Sequence, residues 1–193
     1  MDISLDTVKE LRDKTGVSIM QCRKALEEAE GDMAKAEVLL TKRASMKAGD
    51  KADRELAAGA IGSYVHDGVV GAMVLLSSET DFVSKNAEFA ELARAIAMHV
   101  AATNPKYATS DEISEEQKAA AMSVFEGELE GKPAEMREKI LDGKMQSYFR
   151  DQVLLEQPYI RDDSKTIRDL LNEATQKFGE RVEVSKFARF SAR

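Results

Sequence analysis

The fold is decided by a continuous apolar stretch, Val69-Val70-Gly71-Ala72-Met73-Val74-Leu75-Leu76. Its length and its β-branched residues are typical of a central β-strand that is buried on both faces of a sheet. Shortly after it, apolar residues recur at helical spacing from Phe89 to Val100, which predicts an α-helix. Residues 80–83, between the two elements, are therefore predicted to form a strand-to-helix turn.

That turn contains Thr80-Asp81-Phe82-Val83, in which an acidic side chain stands beside an aromatic one. Polar residues flank these four on both sides. Short loops held by rigid elements are common places for binding groups, which favours a binding function. A second interpretation is structural: Phe82 covers the core, as most Phe side chains do, while Asp81 or Ser84 caps the helix. The local pattern leaves both interpretations open.

A second strand is predicted directly before the apolar stretch, over residues 60–66. The Asp-Gly pair that follows it is a strong hairpin signal, because both turn positions accept positive φ. The two-residue period of a strand places Ile61 and Val65 on one face. Tyr64 and His66 then lie on the opposite face, and we expect them to point outward.

Residues 1–42 predict three short helices joined by turns that contain glycine. Gly16 and Gly31 mark the ends of the first two helices, and Asp32 is a natural N-cap for the third. Such helices form a compact module of the ubiquitin-associated type, which by fold analogy is a docking device. The following segment, residues 43–58, is rich in Lys and Arg and predicts an exposed basic linking helix.

The remaining chain, residues 59–193, predicts an α+β core. Besides the helix after the turn, three more helices are expected, at about residues 114–127, 133–150 and 164–178. Residues 181–190 have the composition of a strand, and we expect them to supply a third strand. The predicted fold class is therefore α+β, with a three-helix N-terminal domain followed by an antiparallel sheet packed by helices.

Composition argues against several classes of function. The net charge of -7 and the pI near 5.1 disfavour nucleic acid as the main partner, because phosphate binding needs a concentrated basic face. No apolar run reaches transmembrane length, and the first residues lack the order of a signal peptide, so we expect no membrane contact and a cytoplasmic location. Cys22, the single cysteine, has helix-spaced apolar neighbours and is expected to be packed rather than reactive.

No catalytic pattern is supported by the sequence. Residues 127–133 resemble a phosphate-binding loop only superficially, because the glycine spacing is one residue short and Pro133 stands where a magnesium-binding hydroxyl belongs. His66 and His99 do not lie at metal-ligand spacing with a cysteine, and His99 is expected to be a partly buried, hydrogen-bonded side chain. We therefore predict no metal, no cofactor and no catalytic residues. Three classes of function remain: a protein-binding regulator, a scaffold and an enzyme with an unrecognised site.

Short motifs along nearly the whole chain share one family resemblance. They occupy residues 11–16, 20–26, 31–32, 79–83, 96–102, 131–133, 138–140, 157–158 and 187–190. In this order they resemble the elongation factor Ts family, whose members exchange the guanine nucleotide of elongation factor Tu. The resemblance implies a ubiquitin-associated-like domain followed by an α+β core. It also implies elongation factor Tu as the partner, in its GDP-bound and nucleotide-free forms.

The resemblance gives a role to the strand-to-helix turn. In the family, an Asp-Phe pair wedges between helices of the partner's nucleotide domain and disturbs its magnesium and phosphate site, so that GDP leaves. The matching residues here are Asp81 and Phe82, flanked by Thr80 and Val83. The resemblance thus makes these four residues a partner-binding site.

The family's N-terminal domain also docks on the nucleotide domain of the partner. The matching positions here are Arg12, Ile19, Met20 and Arg23. Arg23 stands where many members have lysine, which keeps the charge but changes the geometry of the contact. His66 lies in a stretch similar to the family's core and is expected to contact another domain of the partner.

Longer members of the family carry two related core halves, a protruding helical insertion and a further C-terminal helix. This chain has room for one core copy, so we expect the contacts of those additions to be absent or supplied otherwise. Short members resemble half of such a core and are expected to form homodimers. The alternative function is a ubiquitin-associated-like adaptor without exchange activity, which would have no use for the motif at residues 79–83.

Overall fold

The computed structural model describes residues 3–129 and 134–192. Within them the N-terminal part forms α1 Leu5–Thr15, α2 Ile19–Glu28 and α3 Met33–Gly49. The core follows, with β1 Ala58–His66, β2 Val70–Ser78, α4 Asp81–Ser84, α5 Ala87–Thr103, α6 Glu115–Gly127, α7 Ala134–Arg150, β3 Pro158–Tyr159, β4 Asp162–Thr166, α8 Ile167–Phe178 and β5 Glu183–Ser191. The predicted α+β class is confirmed.

The three N-terminal helices have their own hydrophobic core. Ser4, Ser18 and Asp32 cap them, each accepting a hydrogen bond from a backbone N–H in the first turn. Gly16 ends α1 in the left-handed conformation, as its position in the sequence predicts. Cys22 is fully buried in this core, and burial raises the pKa of its thiol, which confirms the packed cysteine. The other core residues are Val8, Leu11, Val17, Ala25, Leu26, Ala29, Ala36 and Leu40.

The third helix is longer than its apolar pattern indicates. α3 continues through Gly49, so a separate linking helix over residues 43–58 is not formed. Turns and extended chain occupy residues 50–57 instead. Ala44 is fully buried, because this part of α3 packs against α8 of the core. The basic segment is thus not an isolated exposed helix but part of a contact between module and core.

β2 is the central strand of a three-stranded antiparallel sheet with the order β1-β2-β5. Asp67 and Gly68 connect β1 to β2 with φ of 49° and 69°, which confirms the hairpin turn. β5 pairs with β2, so the C-terminal segment supplies the third strand as predicted. Helix α5 covers one face of this sheet, and α8 contributes Ile167, Leu171 and Ala174 to the same hydrophobic core.

The opposite face of the sheet is open, which contradicts the expectation that β2 is buried on both faces. Ala72, Val74 and Leu76 are buried beneath α5, whereas Met73 points the other way and is 48% exposed. β2 therefore has two apolar faces, and the chain itself covers one of them.

The orientation of β1 is the reverse of the prediction, except that His66, at the end of the strand, is exposed as expected. Ile61 and Val65 are each 66% exposed on the open face, while Tyr64 packs against the core. Close approach of α5 is the physical reason. A Cβ atom added to Gly62 would lie 2.1 Å from the carbonyl carbon of Ala93, so the covered face of β1 must carry small residues there. The branched residues of β1 are left on the outside.

α6 and α7 form a helical pair that packs little on any other element. The rings of Phe125 and Tyr148 join them in an edge-to-face contact, with centroids 5.5 Å apart. α6 buries none of its residues. Two helices are therefore present where the sequence predicts them, at about residues 114–127 and 133–150. Pro133, expected in the first turn of the second helix, and the motif at residues 131–133 lie outside the described residues.

Two turn residues define the ends of α8. Thr166, rather than Ser164, is its N-cap, in a capping box with Asp169. Ser164 lies in β4, which pairs with β3 in a two-stranded sheet. Gly179 ends α8 in the left-handed conformation, with φ of 74°, as predicted. The next residue, Glu180, is thereby directed toward the end of β2.

Candidate partner-binding site

Phe82 is 87% exposed, more than any other large apolar side chain in the described part of the chain. It lies in α4, a single helical turn in which successive side chains point about 100° apart. Val83, the next residue, is 9% exposed and belongs to the core cluster. The interpretation that Phe82 covers the core is therefore wrong. Val83, which the resemblance includes in the partner-binding site, anchors the turn instead of contacting solvent.

The carboxylate of Asp81 is exposed beside the Phe82 ring. Lys85 Nζ donates to Asp81 Oδ2 over 2.6 Å, and this hydrogen bond, together with the lysine's charge, lowers the pKa of Asp81. Asn86, and neither Asp81 nor Ser84, caps α5 by accepting from the N–H of Glu88. Asp81 is thus ionised and not engaged by the following helix, and its lysine partner is itself exposed.

Two carboxylates attach the turn to the loop that follows α8. Glu180 accepts from the backbone N–H of Thr80 over 2.9 Å and from its hydroxyl over 2.6 Å. Glu79 accepts from the backbone N–H of Arg181 over 2.6 Å and from the guanidinium of Arg54 over 3.2 Å. The pKa of Glu79 is lowered, chiefly by the Arg181 N–H. The exposed Phe82 therefore follows two residues, Glu79 and Thr80, that hydrogen bonds fix to the loop after α8.

The four predicted docking residues of the N-terminal module are all exposed. Ser18 caps α2, which places Ile19 and Met20 in its first turn with exposures of 48% and 83%. Arg23 follows one turn later on the same helix, where it pairs with Glu27 at 3.5 Å. Arg12 is exposed on α1. We call Arg12, Ile19, Met20 and Arg23 the module patch.

A contact that the sequence does not reveal joins the module patch to the core. Gln21, directly after Met20, accepts through Oε1 from the side-chain amide of Gln176 on α8 over 2.7 Å. Asn172, one turn earlier on α8, donates to the hydroxyl of Ser45 on α3 over 3.2 Å. The module patch is thus tied to the C-terminal half of α8, and the Phe82 turn to the loop that follows this helix.

Comparison with known proteins identifies the family. A family model described as Elongation factor TS matches residues 46–193. A protein named elongation factor Ts from Oleidesulfovibrio alaskensis is 46% identical over 191 residues, which is 97% of this chain and 96% of that protein. Proteins of the same name from Coprothermobacter proteolyticus and Thermotoga neapolitana are 42% and 41% identical, over 99% and 98% of this chain and 98% and 97% of their own lengths.

The chain belongs to the elongation factor Ts family. It is therefore a translation elongation factor of protein biosynthesis, as the resemblance implies. Its length is close to that of the three relatives, since each comparison covers nearly all of both chains.

His66 of this elongation factor Ts is exposed but distant from the Phe82 turn. It lies at the far end of β1, about 26 Å along the strand from Ala58, which pairs with Ser78. Its Nδ1 lies 3.0 Å from the hydroxyl of Tyr64, and its Nε2 lies 3.6 Å from a carboxylate oxygen of Asp67. The two surfaces are therefore separate, and a partner that touches both must span the sheet.

The other histidine is structural. His99 is fully buried, its Nε2 lies 2.8 Å from Gln157 Oε1, and its Nδ1 accepts from the N–H of Ile160 over 3.3 Å. Burial lowers the pKa of His99, so the neutral form is favoured. Within the described residues, no group of three or more His, Cys, Asp or Glu side chains could hold a metal ion. None of the helices described there is long and apolar enough to cross a membrane.

The open face of the sheet is the largest feature that the sequence reasoning missed. Ile61, Val65, Met73 and Phe190 share this face by strand register, and Phe190 is 71% exposed. The sequence contains a signal for this open face. Branched residues occupy odd-numbered positions of β1, while apolar residues occupy both even- and odd-numbered positions of β2. Exposed apolar groups in such continuity mark an interaction surface.

Proposed function

We propose that this elongation factor Ts is a guanine-nucleotide exchange factor for elongation factor Tu in the cytoplasm, and not an enzyme. The exposure of Phe82 on a fixed turn is the observation that carries the proposal. An exposed phenylalanine ring gains about 1.5–3 kcal/mol when it enters an apolar groove. No contact within the described chain explains why the ring is held in water, whereas a groove on a partner does.

The mechanism is one of differential binding. An exchange factor weakens nucleotide binding by the same factor by which the nucleotide weakens binding of the exchange factor, since coupling is reciprocal. Phe82 enters a groove between helices of the partner's nucleotide domain, and this groove is more open in the nucleotide-free form. Asp81 gives up its exposed ion pair with Lys85 and forms a charge-assisted hydrogen bond with the partner instead, beside the Phe82 ring. The shift of the partner's helices disturbs its magnesium and phosphate site, and GDP leaves.

Residues 1–42 are proposed as the docking module, residues 43–58 as the connection and residues 59–193 as the core that carries the turn. The separate hydrophobic core of α1 to α3 and the exposure of Met20 support this division. Because α3 packs on α8, variants of the intact chain test it better than a truncation. Met20→Asp should raise the concentration of factor needed for half-maximal GDP release, and unchanged binding would contradict the docking role.

The chain is also proposed to act as a homodimer. The open face of the sheet supports this, because Phe190 and the apolar residues of β1 and β2 lie on it together, and a second copy offers a face of matching composition. Closing the two sheets face to face would resemble the core of a β-sandwich. His66, at the end of β1, is proposed to contact a second domain of elongation factor Tu.

Release of fluorescent GDP from purified elongation factor Tu tests the function. The chain should accelerate release many-fold, and Asp81→Ala and Phe82→Ala should each reduce that acceleration. Excess GDP should in turn weaken binding of the chain to elongation factor Tu, by reciprocity. Binding that leaves both the release rate and the nucleotide affinity unchanged would refute exchange and support the adaptor alternative.

A further inference from the structure

The exposed turn is held by a carboxylate that lies 100 residues away along the chain. Glu180 follows the helix-ending Gly179 and receives both the N–H and the hydroxyl of Thr80. Thr80 is the N-cap residue of α4, where a threonine hydroxyl ordinarily accepts a hydrogen bond from the helix. Here its side chain makes no capping hydrogen bond and donates to Glu180 instead. The turn thus gives up local capping for a long-range contact.

We propose that Glu180 is a positioning residue for nucleotide exchange, which fixes the direction in which Asp81 and Phe82 leave the core. The inference rests on the proposed function and adds a residue outside the motif at residues 79–83. Two hydrogen bonds from Thr80 to one carboxylate restrain both the backbone and the side chain of that residue. Asp81 and Phe82 follow directly, so their direction depends on this restraint.

α4 has few other restraints of its own. Its single buried residue is Val83, and the helix has only four residues. One apolar anchor prevents the turn from leaving the core, but a single contact leaves rotation about it possible. The Glu79 contacts to Arg181 and Arg54 hold the preceding residue, at the end of β2. Glu180 holds the N–H and the hydroxyl of Thr80, while the hydroxyl of the buried Ser78 donates to the Thr80 carbonyl over 3.0 Å.

The same end of α8 also contacts the module and the segment that connects it to the core. Gln176 donates to Gln21 beside Met20, and the Gly179 carbonyl accepts from Lys51. Because Glu180 lies only four residues after Gln176, one short rigid segment orients the module patch and the Phe82 turn relative to each other. Binding of a partner to both surfaces then costs less conformational entropy, because the relative orientation of the two surfaces is set before binding.

Glu180 is well suited to substitution. Among the residues that the structure describes, no basic side chain lies within ion-pair distance of its carboxylate, and its side-chain hydrogen bonds both come from Thr80. Removing the charge therefore strands no buried cation. Glu180→Gln keeps the size of the side chain but removes its charge, so the Thr80 N–H and hydroxyl lose their charge-assisted hydrogen bonds. The hydroxyl can contact the new amide group only by turning to accept from it.

The test compares GDP release from elongation factor Tu at saturating factor with the factor concentration that gives half-maximal release. Glu180→Gln should lower the maximal rate about five- to tenfold, as expected for a lost charge-assisted hydrogen bond. The half-saturating concentration should change less than about twofold, because the module patch is intact. Thr80→Val removes the hydroxyl that donates to Glu180 and should be slow as well. Glu55→Gln removes an exposed carboxylate of the connecting segment and should have no effect.

A second readout needs no partner. Hydrogen exchange of the Thr80 amide in the free protein should accelerate in Glu180→Gln, while the amides of α5 stay protected. A wild-type release rate in Glu180→Gln alongside a slow Phe82→Ala would overturn the positioning role and leave the proposed function intact. A wild-type chain that does not accelerate GDP release would overturn both. An unchanged Thr80 amide would overturn the geometric basis of the inference, whatever the release rates.

Discussion

The two faces of the three-stranded sheet are both apolar, yet the chain covers only one of them. On the covered face, Val74 and Leu76 are fully buried under α5. On the open face, Val65 and Phe190 remain 66% and 71% exposed. The difference shows that an apolar residue indicates a need for burial but does not specify whether its own chain or a partner provides the cover.

The same contrast occurs between two phenylalanines seven residues apart. Phe89, in the first turn of α5, is fully buried and contacts Phe178 edge to face, with centroids 5.7 Å apart. Phe82 is almost fully exposed. Buried rings support folding, and exposed rings on fixed elements are available to a partner. Four experiments can break or sharpen this distinction between covered and open apolar surfaces.

The largest effect is expected on the covered side. Phe89→Ala should lower the free energy of unfolding by about 3–5 kcal/mol, because it removes a fully buried ring and leaves a cavity beside Phe178. Chemical denaturation measures this directly. A loss below about 1 kcal/mol would mean that the covered face is not the stabilising core.

Phe82→Ala should leave stability nearly unchanged and slow GDP release. Because the ring is exposed, the melting temperature should stay within about 2 °C of the wild type. Catalysed GDP release should slow by about ten- to a hundredfold, corresponding to about 1.5–3 kcal/mol of ring burial in the partner. Thermal melting and stopped-flow release on the same preparation separate the two. A large drop in melting temperature with normal release would return Phe82 to a structural role.

Val65→Lys tests whether the open face is covered by a second copy. Light scattering should give about twice the 21.3 kDa chain mass for the wild type and the single chain mass for the variant, with the circular dichroism spectrum unchanged. Val124→Lys is the matched control, since Val124 is 64% exposed on α6, away from the sheet. A wild type that stays monomeric at high micromolar concentration would refute the dimer.

The smallest effect is expected for the pH dependence of stability that is due to His99, a buried polar residue of the core. Burial lowers the folded-state pKa of His99, so below its ordinary pKa near 6.5 the unfolded chain binds a proton more readily than the folded chain. Stability should therefore be full above that pH and fall on acidification, by at most about 1.4 kcal/mol per pH unit. Unfolding at pH 7.5 and 5.5 measures the slope. His99→Gln should reduce it, and an identical slope in the variant would exclude His99 as the cause.

The sequence by itself determined the family, the order of the elements and the limits of several helices. Caps and left-handed turn positions are local, so Asp32, Gly16 and the Asp67-Gly68 pair could be assigned from neighbouring residues alone. The candidate residues of the module patch and the turn were also named, through motifs that are short and ordered along the chain. These features depend on residues within a few positions of one another.

Tertiary structure alone decided which way those elements face and what holds them. The close approach of Ala93 to Gly62 turned Ile61 and Val65 outward, because the alternation of a strand tells which residues share a face but not which face is covered. Val83 took the inward position that the sequence also allowed to Phe82. Glu180 reached Thr80, which lies 100 positions away along the chain. Contacts of this kind join residues far apart along the chain, so they leave no periodic or neighbouring pattern from which the sequence could predict them.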